Sequence, residues 1–142
     1  MKILAFLLAS ALAVLAQEQS SATIDGQTIS VKYAQPGAAK RVTASFQTPA
    51  DIAFKGVKVS KGSYTVSVVT DGPQWQLAIK AADAKAELGR VKMTMGTGAA
   101  GPACKITLTK TAALAAKLEV VWNGVTGAAS FHLDRGGADS EW

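Results

Sequence analysis

Apolar residues recur at every second position along most of the chain, which is the period of β-strands rather than the 3.6-residue period of helices. Each run places its apolar side chains on one face and small or polar side chains on the other. This pattern predicts half-buried strands that share a core. The alternating runs span residues 29–33, 42–46, 64–68, 75–79, 91–95, 104–108, 118–122 and 129–133.

Glycine, proline, asparagine and aspartate separate these runs, as expected for tight turns. The sequence Asn123-Gly124 is typical of a two-residue hairpin turn, so residues 117–122 and 127–133 are predicted to pair antiparallel. The alanine-rich segments 81–88 and 111–117 are predicted as loops with at most one helical turn. Together these signals predict an all-β fold, an antiparallel β-sandwich of eight or nine short strands.

The N-terminus has the pattern of a signal peptide. Lys2 precedes a run from Ile3 to Leu15 that is apolar except for Ser10. The run is too short to span a bilayer, where about 20 apolar residues are needed, and it predicts cleavage after residue 16. We therefore expect export to the periplasm or the cell exterior, with no stable membrane insertion after cleavage. The predicted organisation is a signal peptide (1–16), a flexible segment (17–22), a sandwich domain (23–134) and a flexible tail (135–142).

The composition limits which ligands, metals and cofactors the chain is expected to bind. The formal net charge is +5, but the basic residues are scattered, and Lys55, Lys58 and Lys61 do not form the basic stripe that nucleic-acid binding requires. One histidine and one cysteine cannot build a zinc site, and no glycine-rich nucleotide cradle is present, so no metal or cofactor is expected. Cys104 begins an apolar face and is predicted to be buried, with a disulfide between two chains as the alternative.

Ser130, His132 and Asp134 are the residues that could support hydrolysis. They occupy alternate positions of the last predicted strand and so share one of its faces. Catalytic triads normally converge from different segments of the chain, which favours a solvated polar face over a catalytic site. A hydrolase is the less favoured alternative.

Aromatic side chains are the candidates for ligand contact. We predict a binding role for Trp75, Trp122, Tyr33 and Tyr64, although the same-face neighbours of the two tryptophans favour the core. Trp142, at the end of the sequence, is a candidate for docking on a partner protein or a second copy of the chain.

The segment from Arg41 to Lys80 reads RVTASFQTPADIAFKGVKVSKGSYTVSVVTDGPQWQLAIK. With weaker similarity through residues 88–93 and around Trp122, it resembles the exported bacterial proteins catalogued as domain of unknown function 2911. Members of that family carry a longer insertion after the first strand with a Trp-Arg-Thr-Gly-Ala-Asn-Glu-like stretch, whereas here residues 33–40 run directly into Arg41. The resemblance implies an exported β-sandwich and supports no catalytic assignment.

The functional expectation is an exported, non-catalytic protein that binds an unidentified small ligand or protein. The alternative is a structural or assembly subunit of an envelope or extracellular polymer. Such a subunit would associate, also with itself, through an open strand edge.

Overall fold

The computed structural model describes residues 18–35, 41–98, 100–101 and 103–134. The predicted signal peptide (1–16) and the predicted tail (135–142) lie outside the described residues. Twelve β-strands follow one another along the described chain, where eight or nine were predicted. They are β1 (Glu18–Ile24), β2 (Gln27–Tyr33), β3 (Val42–Thr48), β4 (Ile52–Phe54), β5 (Val57–Val59), β6 (Gly62–Val69), β7 (Gln76–Ala81), β8 (Gly89–Lys92), β9 (Thr94–Thr97), β10 (Lys105–Ala112), β11 (Ala115–Trp122) and β12 (Val125–Leu133).

The strands form two antiparallel sheets, which confirms the predicted fold class. Sheet A has the order β1-β2-β3-β6-β7-β8, and sheet B has the order β10-β11-β12-β4-β5, with β9 also paired to β12. The chain passes from sheet A to sheet B between β3 and β4 and returns between β5 and β6. Residues 91–95 were predicted as one run, but they divide at Met93 between β8 in sheet A and β9 in sheet B.

Two hairpins close through turns of the same type. Asn123 and Gly124 both have positive φ (53° and 80°), and Trp122 pairs with Val125, as the sequence predicts. Asp25 and Gly26 have nearly the same values (50° and 79°) and join β1 to β2. These angles belong to the turn whose twist matches that of the flanking strands.

The prediction of a flexible segment over residues 17–22 is wrong for residues 18–22. They belong to β1, which pairs along its whole length with β2, from Glu18 opposite Tyr33 to Ile24 opposite Gln27. Its inward positions Ala22 and Ile24 are buried, so packing against the core holds the strand in place. Residues 111–117, predicted as a loop, also fall largely in strands, because β10 and β11 continue to a turn between Ala112 and Ala115.

The core lies between the inward faces of the two sheets. Phe46 of sheet A meets Phe54 and Phe131 of sheet B, with ring centroids 6.4 and 6.2 Å apart, and the last two rings are 5.1 Å apart. Each of these side chains is only 1% exposed. Tilted and edge-to-face contacts at these distances are favourable for aromatic rings, so this cluster joins the two sheets at their centre.

Both sides of the sandwich are closed. On one side β1 lies along β10, where the Leu108 N–H donates to Ser20 Oγ at 2.9 Å. Beside it the Gln35 side chain bonds both backbone groups of Cys104, accepting from its N–H at 2.7 Å and donating to its carbonyl at 2.8 Å. On the other side Gly89 of β8 approaches Val57 of β5 so closely that a Cβ at position 89 would lie 2.9 Å from Val57 Cγ2.

We predict that Phe131→Ala lowers the free energy of unfolding by about 3–5 kcal/mol, since it removes a ring from a closely packed site. Ser130→Ala is the matched control, because it changes the adjacent exposed residue of the same strand and should shift stability by less than about 0.5 kcal/mol. Urea unfolding of both variants measures the difference. Similar stabilities for the two variants would contradict the central position of the aromatic cluster.

Candidate functional site

The four aromatic residues predicted to contact a ligand lie in the core. Tyr33 is 3% exposed, Tyr64 9%, Trp75 6% and Trp122 7%. The Tyr64 hydroxyl donates to the Ser60 carbonyl at 2.6 Å, and burial raises the pKa of both tyrosines. The four rings therefore do not offer an exposed binding surface, and that prediction is corrected. Their alternation with apolar neighbours already favoured the core. Trp142 lies outside the described residues.

Ser130, His132 and Asp134 lie on β12 and just beyond its end, as their spacing predicts. Ser130 is exposed, whereas His132 and Asp134 are half-buried. The His132 Nδ1–H donates to the adjacent Leu133 carbonyl at 2.9 Å. In a triad that ring nitrogen donates to the carboxylate that orients the imidazole. The hydrogen bond of His132 Nδ1 therefore goes to a backbone carbonyl and not to a carboxylate as in a catalytic triad.

Cys104 is buried, as predicted, with 2% of its surface exposed. Burial, with a smaller effect from the Glu18 carboxylate, raises the pKa of the thiol from 9.0 to about 11. The Gln35 amide that bonds the Cys104 backbone also donates to Glu18 Oε2 at 2.5 Å. Cys104 thus belongs to the closed side of the sandwich, with a thiol that stays protonated at neutral pH.

A depression of about 270 Å³ lies where the β1–β2 turn meets the end of β12. Asp25, Asp51 and Asp134 line it. Asp51 accepts from the Lys61 N–H at 2.9 Å through Oδ1 and from the Asp134 N–H at 2.8 Å through its carbonyl. These bonds join the segments around the depression, and they give Asp51 a structural role.

The outward face of sheet A, which we call the polar face, is the most extensive polar surface of the two sheets. Half of its side chains are serine or threonine. Its two apolar members, Val69 and Ala78, are buried (8% and 4% exposed), so its exposed part is polar. The polar face consists of Gln19, Ser21, Thr23, Thr28, Ser30, Lys32, Thr43, Ser45, Gln47, Ser63, Thr65, Ser67, Val69, Gln76, Ala78, Lys80, Arg90 and Lys92.

Strand register arranges these side chains in rows across the sheet. In the central row Lys32 lies opposite Ser45, Ser45 opposite Thr65, and Thr65 opposite Lys80. Neighbouring strands of a sheet are about 4.8 Å apart, and same-face neighbours along a strand are about 7 Å apart. The face therefore presents hydroxyl, amide and ammonium groups at regular intervals in two directions.

One end of the polar face carries hydroxyl and amide groups around a depression of about 290 Å³. Thr28, Ser30, Gln47 and Ser63 line it. The Gln47 amide donates to Ser63 Oγ at 3.4 Å across the β3–β6 pair. These hydroxyl and amide groups have further donors and acceptors, so an uncharged polar ligand could bond at the depression.

The other end of the polar face is cationic. Arg90 and Lys92 on β8 adjoin Lys80 on β7, and exposed Arg41 lies just before β3. Glu87, in the loop before β8, bonds Arg90 through both oxygens, Nε–Oε1 at 2.8 Å and Nη2–Oε2 at 3.1 Å. These bonds lower the pKa of Glu87 and raise that of Arg90, and Arg41 contributes to the lowering. Arg41 therefore lies near this pair.

In the part of the chain that the structure describes, no three His, Cys, Asp or Glu residues come together in a way that could hold a metal ion. Over the same ranges no helix is long and apolar enough to cross a membrane.

The fold and the polar face thus define an antiparallel β-sandwich with one hydroxyl-rich outer surface. Comparisons with protein-family models, curated proteins and solved structures find no match. The resemblance to the exported family of unknown function stays a prediction.

The polar face was not predicted from the sequence. Its signal was present in the residues between the apolar positions, such as Thr43, Ser45 and Gln47 on β3, but those residues were used only to recognise strands. Their alignment depends on register between strands, which the sequence of one strand does not contain.

We predict that Cys104 makes the protein less stable as the pH rises from 9.0 to about 11. Over that range the unfolded chain releases the thiol proton while the folded chain retains it, so unfolding becomes more favourable. Urea unfolding at neutral pH and within that range should show a larger loss of stability for the native chain than for Cys104→Ala. The comparison cancels lysine and tyrosine titration, which both chains share. Equal losses would contradict the raised pKa.

Proposed function

We propose that this chain is an exported, non-catalytic protein that binds an extended polar ligand across the polar face of sheet A. The observation that carries the proposal is the set of cross-strand rows, of which Lys32, Ser45, Thr65 and Lys80 form the central one. A ligand with repeating hydroxyl or charged groups would find matching partners along such rows.

The side chains of the polar face suit this role because many of them are short. Serine and threonine lose less conformational entropy on binding than lysine or glutamate, which makes each hydrogen bond less costly to form. Their positions are set by a six-stranded sheet rather than by loops, so the partners are already arranged before the ligand arrives. Ligands bind more tightly to surfaces that need little reordering.

The closed sides of the sandwich favour face binding over assembly through a strand edge. Addition of a strand requires a free row of backbone N–H and C=O groups. β1 and β10 lie against each other, with Ser20 and Gln35 side chains bonded to the backbone of the chain beside them. On the other side β8 and β5 have four and three residues and approach at Gly89 and Val57. These edges offer little backbone to an added strand.

Hydrolysis receives less support than binding. The Nδ1 atom of His132 is bonded to the backbone, and the neighbouring Ser130 is an exposed residue on the outward face of sheet B. Export is part of the proposal on the ground of the sequence alone, through the apolar run that begins after Lys2.

We predict that Ser45→Tyr weakens ligand binding by about tenfold or more, equivalent to about 1.4 kcal/mol, because a bulky ring at the centre of the polar face blocks close approach. Ser130→Tyr is the matched control, since it makes the same change at an exposed strand position of sheet B. Retention of the mature protein and both variants on a panel of immobilised neutral and acidic polysaccharides measures the effect. Retention of the native chain and the control, but not of Ser45→Tyr, supports the proposal.

Two results would refute it. The first is no retention of the native chain on any member of the panel. The second is equal weakening, or no weakening, in the two variants, which would place binding elsewhere on the molecule.

A further inference from the structure

We infer that the ligand of the polar face is an acidic polysaccharide, a polymer with sugar hydroxyls and repeated carboxylates. The inference rests on the proposed function and specifies its ligand. The charges of the polar face and the uncharged groups beside them are the observations that support this ligand.

The charged side chains of the polar face are all cationic. Lys32, Lys80, Arg90 and Lys92 come from β2, β7 and β8, and none of the outward residues of the six strands is aspartate or glutamate. Exposed Arg41 adds a further cation beside them. Such a surface attracts polyanions.

Nearby carboxylates offset only part of this charge. Glu87 forms a two-bond pair with Arg90, and Asp71 also lies close enough to Arg90 to raise its pKa slightly. Both carboxylates act on Arg90, at the β8 edge. Lys32 lies on β2 in the central row, and Lys92 lies at the cationic end; both are exposed. These two lysines are therefore accessible for contact with carboxylates of a ligand.

The cations are separated by hydroxyl groups, which fits a polymer that alternates charge with neutral polar groups. Ser45 and Thr65 lie between Lys32 and Lys80, whose strands are three spacings apart, or about 14 Å. The Lys80 ammonium donates to the Ala84 carbonyl at 2.8 Å, in the loop that follows β7. A chain lying along this row would meet a cation at each end and hydroxyl partners between them.

The uncharged part of the polar face distinguishes a polysaccharide from other polyanions. Single-stranded nucleic acids bind through exposed aromatic rings that stack on bases, and the outward positions of the six strands contain no aromatic residue. Membrane-surface binding uses apolar groups that enter the lipid, whereas the two apolar residues here are buried. The depression lined by Thr28, Ser30, Gln47 and Ser63 offers donors and acceptors that suit sugar hydroxyls.

The test uses polygalacturonate, which carries a carboxylate on every sugar, and its methyl-esterified form, which has the same backbone without the charge. Binding of the mature protein to each polymer is measured over a range of salt concentrations. We expect binding to polygalacturonate that weakens as salt rises, because exposed charge contacts are screened. Binding to the esterified polymer should be about tenfold weaker or more.

The variant is Lys32→Gln combined with Lys92→Gln, which removes two exposed charges from the polar face. Its control is Lys105→Gln combined with Lys117→Gln, which removes the same charge from the outward face of sheet B. We expect polygalacturonate to bind the first double variant about tenfold more weakly, because two exposed charge contacts are lost. The control should bind nearly as tightly as the native chain. Thermal unfolding of both variants confirms that they fold.

Each other outcome overturns the inference. Equal weakening in both double variants means general attraction to a basic protein. Binding of the esterified polymer as tight as that of polygalacturonate, and still sensitive to Ser45→Tyr, leaves the proposed function in place and makes the ligand a neutral polysaccharide. No binding to polygalacturonate also rejects the inference. The proposed function is then decided by retention on the other polysaccharides of the panel. If single-stranded DNA or vesicles of anionic lipid bind as tightly as polygalacturonate, the ligand is not specifically a polysaccharide and the inference is rejected.

Discussion

The contact of Phe46 with Phe54 and Phe131 is the interaction on which the rest of the structure depends. It joins the centre of sheet A to the centre of sheet B, and apolar positions on both sides extend the contact into a continuous core. Burial of these side chains is the main favourable contribution to folding, since the chain has one cysteine and so cannot form an internal disulfide. Because the alternating pattern sends every second residue to this core, the intervening residues face outward. Their identities are less constrained by packing, which leaves the outer face of sheet A available for binding.

Closure of the two sides determines which surfaces remain for a partner. Gln35 provides the Cys104 backbone with both hydrogen bonds that a neighbouring strand would otherwise supply. At the opposite side the absence of a side chain at Gly89 lets β8 approach Val57. Strand edges are the usual sites of unwanted or functional β-pairing, and both features protect them. The broad polar face is therefore a more suitable binding surface than the edges, and its rows are held at fixed spacing by the sheet beneath.

Much of the fold could be predicted from the sequence because alternation is a local signal. The runs ending at Tyr33, Trp122 and Leu133 all became strands, and Asn123-Gly124 forms the predicted turn. β1 was missed because its first residues are polar, although Asp25-Gly26 is a hairpin signal of the same kind as Asn123-Gly124. The binding role predicted for Trp75 and Trp122 is not supported, because these rings share the burial of their same-face neighbours, as the alternation already favoured. The polar face could not be predicted, since it arises when Ser45 meets Lys32 on one side and Thr65 on the other.

The proposed binding of a ligand across the polar face is tested most directly by an NMR titration of the isotopically labelled protein, expressed without residues 1–16, with polygalacturonate oligomers. Amide shifts report the position of contact for each residue. We expect the largest changes on the strands of sheet A, around Lys32, Ser45, Thr65 and Lys92, with little change on β10 to β12. Changes concentrated on sheet B, or around the depression at Asp25 and Asp51, would contradict it.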